Sequence, residues 1–246
     1  VVEYIESGGL PVYFKTIGAG NPGAFSSTLY SEQTGIGLTE VSTSSVAWGD
    51  LDNDGYLDIV SSGSVGFSNA FTIAYRNNGD NTFAEQTGIS FPDHHYAADI
   101  ADYDNDADLD ILLINSDYVI NENFMVFGNN GDGTFSGQSP VTLGFSVSSA
   151  TSEDYNNDGY IDILMTGKNS DTLITRIYKN NGDNTFTAQT GIVLTGLYEG
   201  SSAWGDYNND GYADFVVTGK IDRTQRATLT YKNNGDVTFP APSFIY

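Results

Sequence analysis

The sequence predicts an all-β chain, a small β-propeller of four-stranded antiparallel blades with four full repeats plus a degenerate one, about five blades in all. Three observations predict it. An acidic nine-residue core recurs four times without gaps, its first Asp at positions 50, 102, 154 and 206, a spacing of 52 residues each time. A second motif follows each core in phase: YRNNGDNTF at 75–83, FGNNGDGTF at 127–135, YKNNGDNTF at 178–186 and YKNNGDVTF at 231–239. Between them lie strand-length runs bounded by Gly, Asn and Asp, and helical spacing is sustained nowhere.

Each repeat reads as four strands. A short stretch such as Ser45–Trp48 precedes the acidic core. A mostly apolar run follows it, as in Leu109-Asp110-Ile111-Leu112-Leu113. An alternating stretch, Phe71–Tyr75, gives the third strand, with the period of two that a half-buried strand requires. Asn78-Gly79 then predicts a tight turn through positive φ at both residues, and Thr82–Gln86 a last strand. A unit of about 50 residues with four strands has the size of a propeller blade.

The organisation predicted is one domain in two parts, an N-terminal arm or degenerate blade over 1–40 and a four-repeat body over 41–246. Glu32-Gln33-Thr34-Gly35-Ile36 matches Glu85–Ile89, the last strand of a blade, but no acidic core stands before it. The pieces Val1–Ile5 and Pro11–Phe14 read as strands without a complete blade of their own.

Composition excludes several classes. Nine Lys+Arg stand against 32 Asp+Glu, a formal charge of −23, which is the wrong sign for a nucleic-acid partner. There is no cysteine, so thiol catalysis, disulfides and thiolate metal sites are out. The longest apolar runs, such as Ile111–Ile114, are far below the roughly 20 residues that span a bilayer as a helix, and no membrane insertion is expected.

The chemistry lies in the acidic cores. Calcium takes six to eight hard oxygens on a backbone that curls round it. The pattern D-x-[D/N]-x-D-G-x-x-D offers them at positions 1, 3, 5 and 9, with the carbonyl of position 7 in reserve. The predicted ligands are Asp50, Asp52, Asp54 and Asp58; Asp102, Asp104, Asp106 and Asp110; Asp154, Asn156, Asp158 and Asp162; and Asp206, Asn208, Asp210 and Asp214. Up to four Ca2+ are expected, which would bring the formal charge from −23 to −15. An EF-hand is excluded, because loop position 12 is Ser61, Leu113, Met165 or Val217 and the flanks are strands. Residue type alone predicts the tightest binding at Asp50–Asp58 and weaker binding at the last two loops, where position 3 is Asn. In the second loop Ala107 replaces the position-6 glycine, a strain of about 1 kcal/mol if φ stays positive.

The segments VAWGDLDNDGYLDIVSSG and SAWGDYNNDGYADFVVTGK, with FGNNGDGTF and YKNNGDNTF, resemble FG-GAP/VCBS-type repeats, the calcium-loop blades of integrin α-subunit propellers, of bacterial and algal surface proteins and of some fungal lectins. The resemblance covers residues 44–239 and implies a β-propeller with calcium on its blade loops. It departs at the Gly-Ala-Pro element, replaced here by SSG, MTG and VTG, and the chain is too short for the seven blades most relatives have. Such repeats serve adhesion, glycan binding and architecture alike.

Other candidates are His94-His95, in the connection to the second loop; Trp48 and Trp204, expected between blades or as stacking surfaces for a sugar; and the loop-flanking Tyr56, Tyr103, Tyr155, Tyr160, Tyr207 and Tyr212. Glu153, Glu199 and Asp99 form no visible catalytic pair, and no enzymatic activity is expected. The expected function is that of an extracellular calcium-binding structural or adhesive subunit, associating with itself through its N-terminal strands or with a surface protein or glycan. The alternative is a lectin that holds sugar between blades.

Overall fold

Every second strand of a repeat is apolar at consecutive positions, so it must be covered on both faces. The computed structural model, which describes residues 2–7, 10–15, 36–64, 71–92, 95–115, 122–170 and 172–245, shows how. Two units are present, 1–36 and 37–246. In the first, β1 (Val2–Ser7) and β2 (Leu10–Lys15) form an antiparallel hairpin, pairing with each other.

The second unit consists of four antiparallel sheets in a four-blade propeller arrangement, with no helix among the described residues. Blade one is β3 (Ser42–Gly49), β4 (Asp58–Ser64), β5 (Phe71–Asn77) and β6 (Phe83–Glu85). Blade two is β7 (His95–Ala101), β8 (Asp110–Asn115), β9 (Asn123–Asn129) and β10 (Phe135–Gly137), with a two-residue β11 (Val141–Thr142) also paired to β9. Blade three is β12 (Ser146–Glu153), β13 (Asp162–Asn169), β14 (Thr172–Asn180) and β15 (Phe186–Ala188). Blade four is β16 (Ser202–Gly205), β17 (Asp214–Lys220), β18 (Arg226–Tyr231) and β19 (Ser243–Ile245). Each sheet runs in sequence order. The four complete repeats thus make four blades. The fifth, degenerate blade expected at the N-terminus is represented among the described residues by the separate β1–β2 hairpin, and its matching segment Glu32–Gly35 lies outside them.

Among the described residues the core forms three inter-blade layers. Along β8 the alternation is complete: Ile111 and Leu113 pack with Leu51, Val60 and Ala74 of blade one, while Leu112 and Ile114 pack with Ile163, Met165 and Tyr178 of blade three. Along β13, Leu164 turns the other way, to Phe215, Val217, Leu229 and Tyr231 of blade four. A central strand with apolar side chains on both faces is therefore shared between two cores, which is why these runs do not alternate in sequence.

The NNG turn differs from the expectation. Gly79 has φ +73°, but Asn78 is not left-handed; the second positive φ falls two residues after the glycine, at Asn81, and likewise at Gly133, Asn184 and Val237. The Asn78 amide donates to the Thr82 carbonyl at 3.0 Å, so the connection is a wider loop closed across four residues. Asp80 fills it, its Oδ1 accepting both the amide and the hydroxyl of Thr82 at 3.0 and 2.5 Å. Asn and Gly suit the left-handed position and a β-branched residue does not. Replacing Val237 (φ +58°) by Asn is accordingly expected to raise unfolding free energy by about 1 kcal/mol in a denaturant titration.

Candidate metal centre

Each acidic core leaves one strand of a blade and enters the next, at Asp50–Asp58, Asp102–Asp110, Asp154–Asp162 and Asp206–Asp214. The first Asp curls the loop. Asp50 accepts the amides of Asp54 and Gly55 at 3.1 and 2.9 Å, and Asp102, Asp154 and Asp206 accept the corresponding pairs. Two residues per loop take positive φ. One is the Asn at position 4 (Asn53, Asn105, Asn157, Asn209), which the sequence reading passed over although it recurs in all four copies. The other is position 6, with φ +90° at Gly55 and +75° at Ala107. The strain expected at Ala107 is therefore present. Ala107→Gly is expected to stabilise the protein by about 1 kcal/mol, read as a raised denaturation midpoint with an unchanged slope.

The ninth-position Asp has a structural task. Asp110 is fully buried; its Oδ2 accepts the Tyr103 amide at 2.9 Å and its Oδ1 the Asn129 amide at 2.8 Å. Asp58 does the same with Leu51 and Asn77. In the last two loops one oxygen instead takes the position-3 amide: Asn156 Nδ2 donates to Asp162 at 3.1 Å and Asn208 Nδ2 to Asp214 at 2.9 Å. Carboxylate oxygens of Asp50, Asp52 and Asp58, and of Asp102, Asp104 and Asp106, lie within 4.8 Å of one another, close enough to share one metal ion. The buried Oδ1 of Asp104 has no hydrogen-bond partner. An all-oxygen set of clustered carboxylates, one of them with an orphaned buried oxygen, fits a hard divalent cation. In the third and fourth loops the neutral Asn156 and Asn208 take the third place of that set.

Burial, the largest cause, pushes the Asp110 carboxyl up to about 6 and that of Asp162 up to about 7. The folded state thus holds protons that the unfolded chain, with carboxyls near 4, releases. Stability from this source is full below about pH 4 and is lost as pH rises through 6 and 7. Without divalent ions, the melting temperature is expected to be higher at pH 5.5 than at pH 8, by several degrees.

A residue class the sequence reading treated only as turn-forming proves central. Asn129 Nδ2 donates to Leu109 O in its own blade and to Leu51 O in the preceding one, at 3.3 and 2.8 Å. Asn180 joins Ile161 O and Tyr103 O, and Asn233 joins Ala213 O and Tyr155 O. Their Oδ1 atoms accept the amides of Gly131, Gly182 and Gly235. Each side chain bolts one loop to the next with its donors and acceptor satisfied. Asn77, in the first blade, accepts the Gly79 amide in the same way, but among the described residues its Nδ2 donates only to Leu57 O of its own blade. The recurrence of Asn77, Asn129, Asn180 and Asn233 was the available signal.

The aromatic candidates divide by position. Tyr103 and Tyr155 are buried between blades, and Trp204 lies between Tyr155 and Phe215 with ring centroids at 6.3 and 5.0 Å. Trp48 and Tyr207, at the two ends of the array, are 56% and 60% exposed. Asp99 is partly buried in β7, its carboxyl raised by that burial, and Tyr103 Oη bonds Ser152 Oγ at 2.5 Å beside it. His94 lies outside the described residues and His95 opens β7.

Residues 154–217 match the family model for FG-GAP-like repeats. The match holds the third and fourth acidic loops. No curated protein matches the chain. Among solved structures, the "crystal structure of putative exo-beta-1,3-galactanase from Bifidobacterium bifidum s17" is similar at a TM-score of 0.48 and 12% identity, over 81% of this chain and 70% of that one. A likeness of that degree carries no argument about activity.

Proposed function

We propose that this FG-GAP-repeat propeller is an extracellular calcium-binding structural or adhesive subunit without catalytic activity. The observation that carries the calcium assignment is the orphaned, buried Asp104 Oδ1 within a cluster of aspartates. Burying a charged oxygen without a partner is unfavourable, and a divalent ion relieves both that and the mutual repulsion. Asp50, Asp52, Asp54 and Asp58, with their equivalents in the other three loops, supply the oxygens. Millimolar calcium outside cells would keep such sites filled, and a chain of charge −23 tolerates that environment well. Because the ion needs carboxylates, its affinity falls as Asp110 and Asp162 take up protons, so calcium stabilises most at pH 8, where the ion-free protein is weakest.

Self-association is supported by the end of the array. The tyrosines that blades two and three bury under the next blade, Tyr103 and Tyr155, correspond to Tyr207 in blade four, which is exposed beside a hollow of about 650 Å3 lined by Trp204, Val216 and Thr230. The β1–β2 hairpin offers a second route, by strand addition. Light scattering in millimolar calcium tests the reading on the whole chain, on a chain lacking residues 1–24 and on Tyr207→Lys. Oligomers above the 26.5 kDa monomer that disappear in one variant are expected. Monomers throughout would overturn self-assembly and direct attention to a glycan array.

A further inference from the structure

The four loops differ in what already neutralises them. The second residue of the recurring motif is Arg76, Gly128, Lys179 or Lys232. In three blades this side chain reaches back across the sheet to the acidic loop of its own blade. Arg76 Nε meets Asp52 Oδ2 at 2.7 Å and its Nη2 meets Asp54 Oδ2 at 2.9 Å. Lys179 Nζ meets Asp158 Oδ2 at 2.6 Å, and Lys232 Nζ meets Asp210 Oδ2 at 3.1 Å. Arg76 sits on positions 3 and 5 and the two lysines on position 5, carboxylates that an ion would use.

Blade two has glycine at that place. Among the described residues no Lys or Arg nitrogen lies within ion-pair distance of Asp102, Asp104, Asp106 or Asp110. This is also the loop with an acidic residue at positions 1, 3, 5, 7 and 9, since Asp108 stands where the others have Tyr. It alone keeps a buried carboxylate oxygen without a hydrogen bond, at Asp104. Lack of room does not explain the missing cation. Gly128 has no positive φ, and a Cβ there would stand 3.6 Å from Ser136 O and 3.9 Å from Asp110 Oδ1, ordinary contact distances.

We infer that Asp102–Asp110 is the loop that binds a divalent cation first and most tightly, and that Arg76, Lys179 and Lys232 are resident counter-cations that weaken binding at the other three. The inference rests on the calcium reading and orders its sites. The loop order becomes the second, then the first with four carboxylates against one guanidinium, then the third and fourth with three carboxylates against one ammonium. It differs from the order that ligand type alone predicts, which put Asp50–Asp58 first. A built-in cation lets three loops keep their fold when calcium is scarce, while the second loop senses the ion.

Calcium titration of the whole chain by calorimetry tests this with three variants. The wild type is expected to bind one equivalent at least tenfold more tightly than the rest. Asp104→Asn removes that tight class. Gly128→Lys, which installs the cation the other blades have, weakens it at least tenfold. Arg76→Ala strengthens the next class about tenfold and leaves the first unchanged. Four equal sites, or a tight class indifferent to Gly128→Lys and Asp104→Asn, would overturn the ordering while leaving calcium binding intact. No binding in the wild type would overturn both. If Gly128→Lys does not fold, Arg76→Ala decides: an unchanged second class contradicts the role of resident cations.

Discussion

Replacing Asn180 by Ala is expected to lower the unfolding free energy by about 3–5 kcal/mol, among the largest effects of any single side chain here. The side chain donates to the buried Tyr103 O at 2.7 Å and to Ile161 O at 3.2 Å, and accepts the Gly182 amide at 3.0 Å. Alanine leaves two carbonyls and one amide without partners where water has little access, at about 1–3 kcal/mol for each group left unsatisfied. Asn77→Ala provides the internal comparison. Asn77 occupies the same place in blade one but spans no blade boundary and is partly exposed, so a loss of about 1 kcal/mol is expected. Urea denaturation of both variants reads the difference. Equal losses would mean that the inter-blade bonds add nothing beyond the turn itself.

Calcium is expected to raise the melting temperature of the chelator-treated protein by about 10 °C at pH 8. A site held at 100 times its dissociation constant contributes about 2.7 kcal/mol, and about 2–4 °C accompanies each kcal/mol in a domain of this size. One filled site gives roughly 5–10 °C and a second extends it. Asp104→Asn is expected to remove about half of the shift, and magnesium, which demands a tighter octahedral shell, to reproduce little of it. Differential scanning calorimetry with chelator, calcium and magnesium distinguishes these cases. A chain without cysteine has no disulfide to supply comparable stabilisation.

The blades were legible in the sequence because two motifs recur in phase and because strands such as Ile111–Ile114 cannot be half-exposed. The curl of the acidic loops was legible too, since the first Asp and the position-6 glycine that shape it stand within nine consecutive residues. What escaped were relations across long separations. The carbonyls that Asn129, Asn180 and Asn233 join are 77 or 78 residues away, in the previous blade, so only the recurrence of the Asn shows locally. Arg76, Lys179 and Lys232 stand about 20 residues after the carboxylates they meet, on a different strand, and an alternating strand pattern does not say which loop a long side chain reaches. Trp204 is partly buried against Tyr155 of the preceding blade, whereas Trp48 is exposed in blade one, which no other blade precedes among the described residues.

Native mass spectrometry of the chelated chain, equilibrated in graded calcium, counts the ions that the loops take up. The protein is expected to take up one ion first and no more than four in total, with the first absent from Asp104→Asn. A wild-type chain that stays metal-free in millimolar calcium would mean that the loops bind no calcium and that their aspartates serve only as hydrogen-bonded turns.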